Sequence, residues 1–298
     1  PIRLIRAGEW NSDVTDILTA NVRLPRQVLG DLEAQVIANE VAVRRVGEFL
    51  TDTGLTSLQG LSAELHARTD RAMRRSIAMV PDGVYKSVIE ADGFDERTTR
   101  IVCTVTVTGE TMHIGYDGTS AQIDRGINCV MNNTHAYSVY PVKCALDPFT
   151  PRNEGSYRAI TVSAPERSIL NPVYPAPCSA RQLTGHLIAG AIYRALVSVL
   201  TEKIIGDCGG APTMRALFSG VDRNGDRFSQ VLFASGGMGA APHKDGLPTT
   251  AFPTNVGAAS IEAYERVAPL LVWKKRLRTD SGGPGAFRGG LGQEVEIE

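Results

Sequence analysis

Two histidines lie in segments of the kind that often carry proton-transferring side chains. His135 belongs to the asparagine-rich segment Gly126–Leu146, and His243 precedes Asp245 in the glycine-rich segment Ser235–Gly246. Both segments look irregular and polar, and functional side chains are concentrated on such segments. An imidazole or a carboxylate held there can act as a general acid or base. We therefore predict that His135, His243 and Asp245 are catalytic. The alternative is that each is an ordinary hydrogen-bonded loop residue.

Arginine and asparagine side chains form a second group of candidates. A planar guanidinium binds a carboxylate or a phosphate through two parallel hydrogen bonds. The alternative for each arginine is a salt bridge to one of the many acidic side chains. We predict that the substrate-binding residues are Asn128, Arg152, Asn153, Arg158, Arg278, Gly282 and Gly283.

The densest glycine-rich stretch is Arg276–Gly292, RLRTDSGGPGAFRGGLG. Its flanks, Leu270–Leu277 and Gln293–Glu298, have the residue pattern of strands. A nucleotide-phosphate loop lies between a strand and a helix, and neither GxGxxG nor GxxxxGK[ST] is present. Two interpretations remain open: a structural set of tight turns, or a wall whose backbone N–H groups face a ligand.

The composition excludes several classes of protein. The net charge of −1 gives no electrostatic signature of nucleic-acid binding, and no apolar run reaches the ~20 residues that span a bilayer. The five cysteines include no CxxC pair, which favours reduced thiols and a cytoplasmic location. Because HxH and HExxH are also absent, we expect no metal site made wholly from this chain.

Helical periodicity dominates the first part of the chain. We predict helices over Asp13–Ala20, Arg26–Leu50 and Ser57–Met79, and we expect the two long ones to form an antiparallel hairpin. The predicted domains are a helical hairpin region (1–80) and a mixed α+β region (81–298). The chain begins at Pro1 and ends inside a strand pattern, so we expect it to be part of a longer subunit that lacks its N-terminal portion.

Strand patterns then alternate with loops and one strongly apolar helix, Gln182–Ile205, on which His186 is expected to be a core histidine. The predicted fold class is α+β, with a long helical hairpin followed by a mixed, mainly antiparallel sheet, one buried helix and glycine-rich loops. The predicted strands are Val84–Glu90, Arg100–Thr108, Thr111–Tyr116, Ala159–Ala164, Met214–Val221 and Arg227–Ala234, besides the two that flank the last glycine-rich stretch.

Six segments in a fixed order resemble the hydantoinase B family, which comprises the large subunits of ATP-dependent hydantoinases and 5-oxoprolinases and is related to acetone and acetophenone carboxylase subunits. The resemblance covers essentially the whole chain. The segments are ANVRLPRQVLGDLEAQVIANEVAVRR (Ala20–Arg45), PDGVY (Pro81–Tyr85), DGTSAQIDRGIN (Asp117–Asn128), RNEGSYRAITVSAPERSILNP (Arg152–Pro172), FPTNVGAASIE (Phe252–Glu262) and the last glycine-rich stretch.

The resemblance implies a small-molecule substrate and a hetero-oligomer, with no nucleic acid or membrane. A hydantoinase-A-type partner subunit would bind ATP and Mg²⁺ and phosphorylate a cyclic amide, which then opens in the B-type subunit. A divalent metal (Zn, Mn or Fe) would belong to the missing N-terminal portion of the chain's own subunit. Two alternatives stay open: a subunit of an ATP-dependent ketone carboxylase, and a scaffold portion without catalytic residues of its own.

Overall fold

The computed structural model shows a mixture of helices and strands and confirms the predicted fold class. Two compact units emerge, each built from separate stretches of the chain. The first comprises Pro1–Ser62, Leu217–Leu232 and Ala259–Leu271; the second comprises Ala63–Ala216, Phe233–Ala258 and Val272–Glu298. The predicted domain boundary at residue 80 stays a prediction. The structure describes residues 2–93, 98–209, 215–250, 252–254 and 256–298, and only the backbone of Arg215.

Six helices lie within these described ranges, and none of them is long and apolar enough to cross a membrane. The first three helices confirm the predicted ones. Pro25 starts the second helix, where its missing N–H costs nothing, and Gly54 ends it with φ 66°. The helices are α1 (Ser12–Asn21), α2 (Pro25–Thr53), α3 (Gln59–Ile77), α4 (Met131–Leu146), α5 (Gln182–Leu196) and α6 (Ile261–Val267).

The strands follow the predicted order closely; Met214, at the start of one predicted strand, lies outside the described residues. β1 pairs with β2, β7 with β8 and β9 with β10, each as a two-stranded sheet. The strands are β1 (Ile5–Arg6), β2 (Glu9–Trp10), β3 (Gly83–Ala91), β4 (Thr99–Thr108), β5 (Thr111–Gly115), β6 (Ile160–Ser163), β7 (Arg215–Val221), β8 (Arg227–Phe233), β9 (Val272–Leu277) and β10 (Gln293–Ile297).

The largest sheet has the order β3-β4-β5-β6 and is mixed, mainly antiparallel, as predicted. β3, β4 and β5 pair antiparallel, and β6 joins β5 in parallel. Alternate residues of β4, among them Ile101, Cys103 and Val105, are fully buried, which is the period-two pattern of a sheet with one covered face.

Helix α5 is the predicted buried helix, and it packs on β3 and β4. The Ser87 hydroxyl of β3 donates a 2.6 Å hydrogen bond to the backbone oxygen of Ala191 in α5. The predicted end at Ile205 is wrong, because the helix stops at Leu196 and turns follow. Val197, Ser198 and Val199 come next, and these residue types favour a helix less than leucine or alanine does.

The asparagine-rich segment is not irregular: from Met131 it forms helix α4, and the prediction of a loop there is wrong. Pro141 lies inside this helix, and proline and the early asparagines both disfavour helix in a propensity argument. Val139, Val142 and Leu146 are buried in the core. Tertiary burial of this apolar side therefore outweighs the weak local preference.

α2 contains no buried residue among those described, and Ile37, Val43 and Phe49 are exposed. α2 belongs to the first unit and most of α3 to the second. Their packing as a hairpin stays a prediction.

Candidate active site

Two adjoining open cavities lie along α4, and both are lined by Tyr140, Pro253 and Thr254. We call the two together the α4 groove. Its apolar half has a cavity volume of about 380 Å³, and its polar half about 650 Å³. Beyond the shared residues, the apolar half is lined by His135, Ala136, Tyr137, Val139 and Tyr157, and the polar half by Lys143, Cys144, Pro148, Thr150, Pro151 and Arg152.

A buried ion pair lies at the polar half. The Lys143 side chain is 2% exposed, and its Nζ donates to Asp147 Oδ2 at 2.7 Å and to Thr150 Oγ1 at 2.8 Å. Burial opposes ionisation of Asp147, but hydrogen bonds from Lys143 and Thr150 together hold the pKa of its carboxyl below the usual value. The lysine charge is therefore already neutralised, and this pair fixes the shape of the groove.

Arg152 supplies the accessible positive charge of the groove. Its guanidinium carbon lies 6.0 Å from the centroid of the Tyr140 ring, within the range of a cation–π contact. In the part of the chain that the structure describes, Arg152 forms no salt bridge, and no carboxylate side chain lines either cavity. The polar half is therefore suited to an anion.

The rings of Tyr137, Tyr140 and Tyr157 line the apolar half. Burial raises the pKa of both Tyr140 and Tyr157, so their hydroxyls stay protonated at neutral pH. Phe252 lies between Tyr140 and Tyr193, with ring centroids 6.2 Å and 5.9 Å away. Within the groove, Tyr137, Tyr140 and Tyr157 offer a surface for an apolar or planar ligand.

One buried hydroxyl oxygen in the groove has no hydrogen-bond partner among the described residues. Thr254 Oγ1 makes no hydrogen bond to any described residue, although it is shielded from solvent. A buried polar atom left unpaired costs about 1–3 kcal/mol, so a ligand that bonds to it would recover that cost. The groove thus combines an apolar surface, the guanidinium of Arg152 and a buried hydroxyl without a described partner.

The structure brings two of the predicted site residues to this groove. His135 lies in α4 at the apolar half and is partly exposed, and Arg152 lies at the polar half. Their roles in catalysis and binding stay predictions. Sequence reasoning missed Tyr137, Tyr140 and Cys144, although their i, i+3, i+7 spacing would have placed them on one face of a helix.

The other residues predicted near them have different surroundings. Asn128 is fully buried; its Oδ1 accepts from the Ile123 N–H, and its Nδ2 donates to the backbone oxygens of Ile123, Arg125 and Pro177. Asn153 Oδ1 accepts from Thr69 Oγ1 at 2.6 Å. These contacts are those of residues that hold the fold, so the geometry does not favour a substrate contact for either amide.

Arg158 is exposed, and its Nη2 lies 3.3 Å from Glu154 Oε1. Arg278 is also exposed, and its backbone N–H donates to the Gly292 oxygen at 2.9 Å. Both were predicted to bind substrate, and both assignments stay predictions. The Arg158 pair is the surface salt bridge that we kept open as its alternative.

His243 and Asp245 lie on an exposed turn beside the last glycine-rich stretch. Asp245 Oδ1 accepts from the backbone N–H of Arg288 at 2.7 Å, and Arg288 Nη2 lies 2.7 Å from Asp280 Oδ1. The contacts of this turn are thus with the terminal glycine-rich stretch. The predicted catalytic role of His243 and Asp245 stays a prediction.

Close backbone packing explains many of the glycines. A Cβ on Gly237 would lie 1.7 Å from the Gly290 oxygen, and one on Gly282 would lie 2.2 Å from the Gly289 oxygen. A Cβ on Gly283 would meet nothing within 4 Å. Within Arg276–Gly292 the geometry therefore supports the structural interpretation at Gly282 and Gly290, whereas at Gly283 both interpretations stay open.

Within the described ranges, no group of three or more His, Cys, Asp and Glu side chains is placed to hold a metal ion. The described cysteines are all free, and Cys103 and Cys129 are buried.

Known proteins are similar to this chain over nearly its whole length. The chain is 30% identical over 313 residues to the caprolactamase subunit beta of Pseudomonas jessenii, and the match covers 100% of this chain and 53% of that protein. It is 26% identical over 305 residues to the acetophenone carboxylase delta subunit of Aromatoleum aromaticum, covering 98% of this chain and 45% of that protein.

A solved structure agrees with this. The crystal structure of the ATP-dependent caprolactamase from Pseudomonas jessenii superposes with a TM-score of 0.90 at 28% identity, covering 100% of this chain and 53% of that chain. The chain thus spans about half the length of the caprolactamase subunit. The family described as hydantoinase B/oxoprolinase matches residues 1–298, and the chain belongs to that family.

Proposed function

We propose that this chain is part of the hydantoinase-B-type subunit of an ATP-dependent cyclic-amide hydrolase. The observation that carries the proposal is the likeness to the ATP-dependent caprolactamase over the full length of the chain. A hydantoinase-A-type partner subunit would bind ATP and Mg²⁺ and transfer a phosphoryl group to the amide oxygen. This transfer would activate the ring for attack by water. The remainder of the chain's own subunit would complete the hetero-oligomer and carry any divalent metal.

The α4 groove is our candidate for the place where the activated ring binds. Its tyrosine rings suit a small cyclic body, and Arg152 suits the negative charge of a phosphoryl group or an opening carboxylate. Such a charge is stabilised most by a donor that is already in place when it develops. The Thr254 hydroxyl offers one further hydrogen bond.

The chemistry that we assign to this chain is proton transfer and charge stabilisation. His135 would take a proton from the attacking water and return it to the ring nitrogen as the C–N bond breaks. Cleavage of the C–N bond would leave the freed ring nitrogen and an acyl phosphate, and a second water molecule would hydrolyse the acyl phosphate to a carboxylate and inorganic phosphate. His243, Asp245, Arg278, Gly282 and Gly283 form a second candidate surface, whose part in the reaction is also a proposal. The free cysteines support a cytoplasmic location.

The test is an ATP-coupled ring-opening assay on the full subunit co-purified with its ATPase partner. Hydantoins, 5-oxoproline and larger lactams should be tried in turn, with release of phosphate and of the ring-opened product measured together. We expect turnover of at least one cyclic amide that depends on ATP. If no cyclic amide is opened by an intact complex, the proposal is wrong.

One observation favours a second candidate, a subunit of an ATP-dependent ketone carboxylase: the match to the acetophenone carboxylase delta subunit covers nearly all of this chain. ATP consumption that needs both bicarbonate and a ketone would support it. The exposed apolar residues of α2 favour a third candidate, a scaffold portion. In that case the substitution Arg152→Ala would leave turnover unchanged at equal yield of the complex.

A further inference from the structure

A further cavity shares Pro253 with the α4 groove. α5 forms one wall, the end of β3 a second, and Ile204–Cys208 with Phe252–Pro253 complete it. We call it the α5 pocket. Its volume is about 520 Å³, within the range of small-molecule sites in proteins. None of the sequence arguments above points to it.

Charged side chains of both signs line the α5 pocket. Glu90 and Asp207 are exposed carboxylates, and Arg194 near the end of α5 is an exposed cation. Asp207 Oδ1 accepts from the Cys208 N–H at 2.9 Å, and Glu90 Oε1 lies 4.0 Å from Arg100 Nε. Both carboxylates therefore keep an oxygen for a further cation.

A glycine inside α5 lets one of these carboxylates come close to the helix. A Cβ on Gly190 would lie 3.3 Å from Asp207 Oδ1 and 3.3 Å from Ile89 Cδ1. Glycine in a helix interior costs about 1 kcal/mol relative to alanine. Here it makes room for Asp207 and Ile89 at the wall of the α5 pocket.

Between the charged groups the wall is mainly apolar. Leu187, Val197, Ile204 and Ile205 contribute aliphatic surface, and His186 adds a partly buried ring. The Tyr193 hydroxyl donates to the Pro141 oxygen at 3.2 Å, so Tyr193 offers the pocket its ring rather than its hydroxyl.

We infer that the α5 pocket binds a short linear amino carboxylate, with its ammonium at Glu90 and Asp207, its carboxylate at Arg194 and its methylene chain along the aliphatic wall. A plain amine or a plain acid of the same length would use only one end of this arrangement. Opening a lactam yields an amino carboxylate, so the ligand would be of the product class for a lactam substrate. That link rests on the proposed function, whereas the binding itself does not.

Isothermal titration calorimetry on the full chain tests the inference, with 6-aminohexanoate as the probe and hexylamine and hexanoate as single-ended comparisons. We expect the amino carboxylate to bind and each comparison to bind about tenfold more weakly or worse, as expected for losing one hydrogen bond to a charged group. Asp207→Asn and Arg194→Ala should each weaken binding of the probe about tenfold. Glu202→Gln and Arg75→Ala remove exposed charges outside the pocket and should leave it unchanged.

A third variant tests the close approach of Asp207 to α5, and the folding of every variant is checked separately. Gly190→Ala should displace Asp207 and weaken binding, and circular dichroism and the thermal midpoint report whether each variant is folded. No binding of 6-aminohexanoate, or equal binding by the folded Asp207→Asn and Arg194→Ala variants, would overturn the inference. The measurement needs neither ATP nor turnover. A complex that opens no cyclic amide could still bind the probe, so the two failures can be told apart.

Discussion

Arg152 lies against the ring of Tyr140, with its guanidinium carbon 6.0 Å from the ring centroid. The contact ties the cation of the polar half of the α4 groove to the aromatic surface of the apolar half. Because guanidinium stacks on a ring while its N–H edge stays available, the contact fixes Arg152 and leaves it free to bind an anion.

The first prediction concerns this arginine. Arg152→Ala should lower kcat/KM for ring opening by about tenfold or more, because a charge-assisted contact to the anionic group is lost. Arg152→Lys should give a kcat/KM between those of Arg152→Ala and the unmodified complex, since it keeps the charge and loses the planar guanidinium. Arg75→Ala, an exposed arginine of α3 that does not line the groove, is the control and should change little. Equal effects at both positions would contradict the assignment.

The second prediction concerns His135. Replacing it with glutamine should lower kcat by about 100-fold or more if it is the general acid–base. His66→Gln, a histidine of α3 outside the groove, serves as control. His243→Gln, measured in the same assay, decides whether the exposed turn also takes part. Full activity of the His135→Gln complex would remove His135 from the mechanism.

The third prediction concerns the buried pair Lys143–Asp147. Lys143→Met should destabilise the chain by about 3 kcal/mol, because it leaves the Asp147 carboxylate buried without its partner. The pKa of Asp147 is lowered in the folded state. Its carboxylate therefore adds to the free energy of unfolding above the unfolded pKa, and this contribution is lost as pH falls through the folded pKa. Urea unfolding at several pH values measures both effects.

Asp147→Asn should therefore flatten the loss of stability of the chain below about pH 4, the range in which the unfolded carboxyl titrates. Identical acid unfolding curves for the Asp147→Asn variant and the unmodified chain would contradict the ion-pair argument.

The fourth prediction separates glycines that pack from glycines that do not. Gly237→Ala should cost about 3 kcal/mol or more, since its Cβ would lie 1.7 Å from the Gly290 oxygen. Gly283→Ala, for which nothing lies within 4 Å of the Cβ, should leave the thermal midpoint unchanged. If Gly283→Ala lowers ring opening at full stability, the ligand-wall interpretation gains support at that position.

The fifth prediction concerns the core thiol. Burial raises the pKa of Cys103 to about 12, so almost no thiolate exists at pH 8. Iodoacetamide should leave Cys103 unmodified in the native chain and label it after unfolding, as peptide mass spectrometry would show. Native labelling at a rate similar to that in the unfolded chain would contradict its burial.

The amino-acid sequence was sufficient to predict the order and type of most elements. The 3.6-residue period of α2 and α3 and the alternation in β4 and β5 are local patterns, so they can be recognised without knowing what packs against them. The family was also recognisable, because its motifs recur in order along the chain.

The candidate site was determined only in part. His135 and Arg152 were chosen for their residue types, but the segment of His135 looked like a loop because asparagine and Pro141 disfavour helix. Burial of Val139, Val142 and Leu146 makes this segment helix α4. Only that helix places Tyr137, Tyr140 and Cys144 in the same groove as His135 and Arg152.

Only the folded chain shows which polar side chains already have hydrogen-bond partners and which glycines pack closely against other backbone. Asn128 bonds to Pro177, 49 positions away, and Gly237 packs on Gly290. The α5 pocket likewise joins Glu90, Arg194 and Asp207 from three separate segments. Such relations depend on distant parts of the chain meeting, and no local period or residue type encodes them.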